Sequence, residues 1–179
     1  MTYAVLTARL ALAGVLLVSA VAKARSFQES RDMLDGLLRR LPRSGPGARR
    51  LARPAAYVLI AAEGATGLAL LGPAQTVRPG LVVAAVLTAG FTAVAAWATV
   101  SRAEVSCACF GRPTARLGRR HVVRNAPLLG LAVLGLVGVG AARDASPELP
   151  AVVLCVVAAA VITLVTAFFD DIVDLLAGR

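Results

Sequence analysis

Apolar and polar positions alternate along this chain in long blocks, not at the short periods of a soluble domain. A membrane-crossing helix needs about 20 mostly apolar residues. On that criterion the pattern predicts spans over residues 3–22, 54–71, 81–100, 122–142 and 151–169. The connections run long, short, long, short, which puts the two long ones on one face and the two short ones on the other. Arg9 lies near the start of the first span, where a long side chain can snorkel to the interface. Ala84, Thr88, Thr92 and Ala96 recur at every fourth position of the third span. That stripe suits close helix packing in lipid, although an alanine-rich chain also produces one by chance. Pro127 falls in the first turns of the predicted fourth span, where its missing N–H costs little.

The polar segments carry structure of their own. Ser26 and Glu29 have the spacing of a capping box. Leu34, Leu37, Leu38 and Leu41 follow at helical spacing, with Arg31, Asp35, Arg39 and Arg40 elsewhere around the helix. An amphipathic helix is predicted over Phe27 to Leu41, ended by Pro42 and lying in the membrane interface or against the bundle. Residues 43–47 read as a flexible link, and 48–53 as a basic lead-in to the second span. Residues 75–80 and 143–150 read as short turns. The tail, with Asp170, Asp171 and Asp174, reads as a short helix leaving the membrane, its acids solvated.

Composition agrees with this picture. The chain is 58% hydrophobic with a mean hydropathy of +0.77, and a soluble domain of this size does not normally carry several membrane-length runs. The fold class expected is all-α, a polytopic membrane helix bundle in one domain over residues 1–179, with an amphipathic interfacial helix after the first span. The first run is too long for a signal-peptide core and has no basic segment before it, so it is read as a retained span.

The net charge of +9 gathers in the connections, which points to lipid headgroups and topology and away from nucleic acid. Nine Lys and Arg lie between Lys23 and Arg53, and six between Arg102 and Arg124. Arg9, Arg78 and Arg143 lie toward the other side. The positive-inside rule therefore places the N-terminus outside and the 101–121 loop at the cytoplasmic face.

That loop contains Ser106-Cys107-Ala108-Cys109-Phe110-Gly111. Cysteines one residue apart can close a strained, readily reduced disulfide. Arg102, Arg112 and Arg116 are near enough in sequence to favour the thiolate. Gly111 lets the backbone turn sharply, so a partner protein can approach. Two other readings stay open: a pair of thiolates holding a soft metal, copper or zinc, in a binding or transport accessory protein, or inert cysteines in a structural membrane subunit. No second Cys/His pair completes a metal site.

His121, the single histidine, ends the same loop and can exchange a proton with a thiol; the plainer reading is an interfacial histidine beside Arg119 and Arg120. Glu63 is the acid inside a span and needs a partner, with Lys23, Arg124 and Asn125 as candidates. It serves either function or an interhelical hydrogen bond. Cys155, mid-span among apolar residues, reads as a small hydrophobe, with a third redox partner as the alternative.

The Cys107-Ala108-Cys109-Phe110-Gly111 element, followed by Arg124-Asn125 at a helix start, resembles the MauE-like family of methylamine-utilisation membrane proteins, related to the broader DoxX-like group. Lys23 at the end of the first span and Glu63-Gly64-Ala65-Thr66-Gly67 in the second resemble it too, while Ser26 stands where that family commonly has Asp. The resemblance covers about residues 13–134. It implies a four-helix membrane core, here followed by a fifth C-terminal membrane helix. It also implies a redox-linked dithiol at Cys107 and Cys109, a thioredoxin-fold partner, support of disulfide formation in exported proteins, and residence in the plasma or inner membrane. Likeness in layout to quinone-linked disulfide-forming proteins suggests a quinone as electron acceptor, by analogy alone. An export role places the dithiol outside, whereas the charge count places it inside.

Overall fold

The computed structural model describes residues 2–40, 48–101, 118–140, 148–176 and 178. All of the secondary structure among them is helical: α1 (Thr2–Arg25), α2 (Phe27–Arg39), α3 (Ala48–Leu71), α4 (Ala74–Val100), α5 (Arg119–Val139), α6 (Leu149–Ala167) and α7 (Phe169–Leu176). Five of these, α1, α3, α4, α5 and α6, are long and apolar enough to cross a membrane. The expected polytopic helical bundle is what forms.

The boundaries differ from the predicted spans in instructive ways. The basic lead-in before Pro54 is already helical, so α3 starts at Ala48. The expected turn at 75–80 is the first part of α4, and the chain reverses at Gly72 and Pro73 instead. The Thr76 hydroxyl closes that reversal by bonding the carbonyls of Ala69 and Pro73, at 2.6 and 2.8 Å. Membrane hydropathy marks where apolarity begins, and polar first turns outside the apolar layer escape it. The same effect makes Arg119–Arg120 helical. Pro127 therefore sits eight residues into α5, not in its first turns, and interrupts the helix hydrogen bonding within the span.

α1 is the hub. It packs on α3, α5 and α6, while α4 closes the ring between α3 and α5. Leu12, Leu16, Leu70, Leu81 and Leu128 meet at the centre of that four-helix core. Gly67 sets the α1–α3 distance: a Cβ there would lie 2.7 Å from Leu17 Cγ and 3.2 Å from the Ala13 carbonyl oxygen. α6 lies outside the ring along α1. Its outward face, with Leu154, Val157, Val161 and Leu164, is exposed and apolar, as a lipid-facing helix requires. The small-residue stripe of α4 is buried at Ala84 and Thr88, and partly exposed at Thr92 and Ala96.

α2 folds back under the long-connection end of the bundle. Met33 packs on Ala95 and Ala98 of α4, and Leu34, Leu37 and Val122 surround them. The Phe27 ring stacks on Tyr57 of α3 with centroids 4.5 Å apart. The helix begins at Phe27 as predicted, but the Ser26 side chain makes no capping bond, so the capping box does not form. The Ser26 amide instead continues the α1 ladder by donating to the Ala22 carbonyl at 3.0 Å. Leu41 and Pro42 lie outside the described residues.

At the opposite end, Arg9 binds the end of a neighbouring helix. Its guanidinium donates to the carbonyls of Leu70 and, at 2.6 Å, Gly72. These acceptors lie at the C-terminal end of α3, where carbonyls lack helical partners.

Candidate functional site

The polar groups of the bundle gather between the last turns of α1, the middle of α3 and the first turns of α5. Lys23 reaches inward from α1, and its ammonium donates to Glu63 Oε1 and Oε2 of α3 at 2.7 and 2.9 Å. It also donates to Ser19 Oγ, one turn back, at 2.5 Å. The Ser19 hydroxyl lies 3.4 Å from Glu63 Oε1. The fourth side of the ammonium faces the Phe91 ring of α4, 5.1 Å from its centroid. Lys23 and Glu63 are 1% and 0% exposed. A buried charge persists in such a place only when paired and hydrogen-bonded, and this one has both supports. Of the three partners the sequence offers Glu63, Lys23 makes these bonds.

Arg124 and Asn125 of α5 do come to the same place. Together with Ser19, Lys23, Glu63, Thr88 and Phe91 they line a cavity of about 30 Å³. That volume suits a single water molecule among polar partners. Arg124 is buried, and its guanidinium donates to Asp170 of α7 at 3.2 Å. One turn back, Arg120 meets Asp174 at 2.6 Å. Two arginines four apart on α5 thus face two aspartates four apart on α7. The acidic tail is therefore tied to α5 through these pairs, although Asp174 stays about half exposed. Sequence reasoning missed it because the partners lie some fifty residues apart, and only matched i, i+4 spacings hint at the pairing.

His121 is buried at the start of α5, next in the chain to Arg119 and Arg120. It lines a second, larger cavity of about 250 Å³ beneath α2, walled by Met33 and Leu37 of α2, Leu59 of α3, Phe91 and Val94 of α4, and Asn125 of α5. Phe91 and Asn125 line both cavities.

Cys107, Cys109 and Gly111 lie outside the described residues. Their flanks, Ser101 at the end of α4 and Gly118 before α5, lie at the end of the bundle that holds α2, Lys23 and His121. Cys155 lies toward the opposite end, its thiol 3.6 Å from the Tyr3 carbonyl near the start of α1. Among the described residues no three His, Cys, Asp or Glu side chains come together as a metal site.

A comparison with protein families matches residues 1–138 to the family described as methylamine utilisation protein MauE. No curated protein and no solved structure matches the chain. The family match spans α1 to α5 and stops before α6 and α7.

Proposed function

The chain belongs to the MauE family, and on that basis we propose that it is a multi-pass membrane thiol–disulfide redox protein whose working groups are Cys107 and Cys109. The family description speaks of methylamine utilisation; the reading here is broader, support of disulfide formation or maturation in other proteins through a thioredoxin-fold partner. The observation that carries it is the position of the Cys-Ala-Cys segment in the chain. It joins α4 to α5 at the end of the bundle where His121, Lys23, Glu63 and Arg124 are concentrated.

In this reading the two thiols alternate between dithiol and disulfide. A thiolate of the partner protein attacks the Cys107–Cys109 disulfide, and the partner's second thiolate resolves the mixed disulfide, so the partner leaves oxidised and the pair is left as a dithiol. His121 serves as the proton-exchanging group at the base of the segment. Arg124 and Asn125 position the first turns of α5, and Lys23 and Glu63 position α1 against α3. Gly111 leaves room for the partner's backbone.

The test uses a Cys155→Ala background, so that the pair holds the remaining thiols. Intact cells, and separately inside-out membrane vesicles, are treated with a membrane-impermeant alkylating reagent, with and without prior reduction. Labelling that appears only after reduction, together with a Cys109→Ser variant that traps a reductant-sensitive adduct with a thioredoxin-fold protein, is expected. Equal labelling under both conditions, with no adduct, overturns the reading. The same labelling decides which face carries the pair.

A further inference from the structure

The larger cavity has the chemistry of a ligand site. We infer that it binds the ring of a membrane quinone, an uncharged carbonyl-bearing ring on a hydrocarbon tail. This rests on the redox reading above, because it names where that chemistry's electrons go.

Size comes first. About 250 Å³ is too small for a typical drug-sized ligand. An apolar cavity of about 150 Å³ takes up a benzene molecule, so this one has room for a substituted ring. Access comes second. Val86 and Val94 line the cavity and are exposed on a membrane-spanning helix, so the ligand arrives from hydrocarbon. Polarity comes third. Met33, Leu37, Leu59, Leu87 and Phe91 make the walls apolar, and the lining residues that carry side-chain N–H groups are His121 and Asn125, one helical turn apart on α5. A phosphate headgroup would lose its hydration against those walls. A ring carbonyl needs one hydrogen bond, and the Phe91 ring provides an aromatic neighbour.

The neighbouring cavity completes the case. Phe91 and Asn125 are common to both, so the ring would sit one side chain away from the Lys23–Glu63–Ser19 cluster and its water-sized space. Oxidising two thiols to a disulfide breaks two S–H bonds, forms one S–S bond and releases two electrons and two protons. The quinone takes up both electrons and both protons as its two carbonyls become hydroxyls. A buried ionisable cluster beside the ring gives those protons a route through an otherwise apolar bundle.

The experiment exploits Trp97, the single tryptophan, which lies on α4 one turn beyond Val94. Titrating the purified full-length protein in detergent with a short-tailed benzoquinone is expected to quench Trp97 saturably. A Cβ at Gly90 meets nothing within 4 Å, so Gly90→Leu fills the cavity without moving the backbone. It should weaken binding at least tenfold, and Asn125→Ala should weaken it several-fold. Gly130→Leu, in the separate groove between α1 and α5, has equally open space and should leave binding unchanged. Should Gly90→Leu not fold, Val94→Phe narrows the same cavity. Linear, unsaturable quenching overturns the site, as does equal competition by a phospholipid or by a tail-only alcohol. Binding should persist in Cys107→Ser/Cys109→Ser. Quinone binding without thiol exchange upholds the site and removes the redox reading. Thiol exchange without Gly90-dependent binding removes the site alone.

Discussion

Lys23 and Glu63 face each other from antiparallel neighbours α1 and α3, with nitrogen–oxygen distances of 2.7 and 2.9 Å. Removing either partner strands the other as an uncompensated charge in an apolar bundle. Lys23→Met or Glu63→Leu should each destabilise the protein by about 3–5 kcal/mol. The double variant should lose much less than the sum of the two. Thermal melts of all four proteins in one detergent check this, and strictly additive losses would show that the pair is uncoupled.

Arg124–Asp170 and Arg120–Asp174 look alike in distance but not in burial. The Arg124 side chain is 4% exposed, while Arg120 and Asp174 are 39% and 48% exposed. Asp174→Asn should therefore cost about 0.2–1 kcal/mol, an effect that vanishes in high salt. Asp170→Asn should cost more, roughly 1–3 kcal/mol, and should keep most of its effect in salt, because it leaves a buried guanidinium one acceptor short. Melting temperatures at low and high sodium chloride separate the two cases; equal salt sensitivity would contradict the burial difference.

Two glycines should respond to the same substitution with opposite signs. Gly67→Ala drives a methyl group into Leu17 and the α1 backbone and should destabilise by about 1–3 kcal/mol. Gly36, in the interior of α2, has nothing within 4 Å of a new Cβ. Gly36→Ala there should stabilise by about 0.4–1 kcal/mol through helix propensity and a less flexible unfolded chain. Melting the two single variants beside the parent protein is sufficient.

Arg9 acts as a forked donor to two carbonyls at the end of α3. Arg9→Met should cost about 1.5–3 kcal/mol. Arg9→Lys should recover only part of it, since a single ammonium does not reproduce the planar fork. Full recovery with Lys would point to charge alone.

The spans, the amphipathic α2 and the short α7 were legible because each depends on local periodicity or on run length. Glu63 was legible as a residue needing a partner, because an acid inside a span is costly wherever it sits. What escaped is everything that depends on which helices adjoin. Arg9 was legible as a long side chain near the start of a span, but nothing local announces the open carbonyls of α3 that it binds. Asp170 and Asp174 looked solvated because their partners belong to another helix. His121 was read as interfacial beside Arg119 and Arg120, and only the tertiary arrangement of α2, α4 and α5 creates the cavity it lines. Pro127 was misplaced for the opposite reason: polar residues ahead of a span do not register in hydropathy, so the start of α5 was set too late.

The Lys23–Glu63 pair has a consequence for biogenesis. The ribosome makes the ammonium forty residues before its carboxylate. When α1 leaves the translocon its lysine has no acid to meet, and hydrocarbon rejects it. Lys23 must wait at the water boundary until α3 inserts. Pairing with Glu63 then lets Lys23 sit within the bundle, where α5 and α6 also pack on α1. The order of synthesis is thereby coupled to the order of assembly: the helix made first settles only once α3 is present.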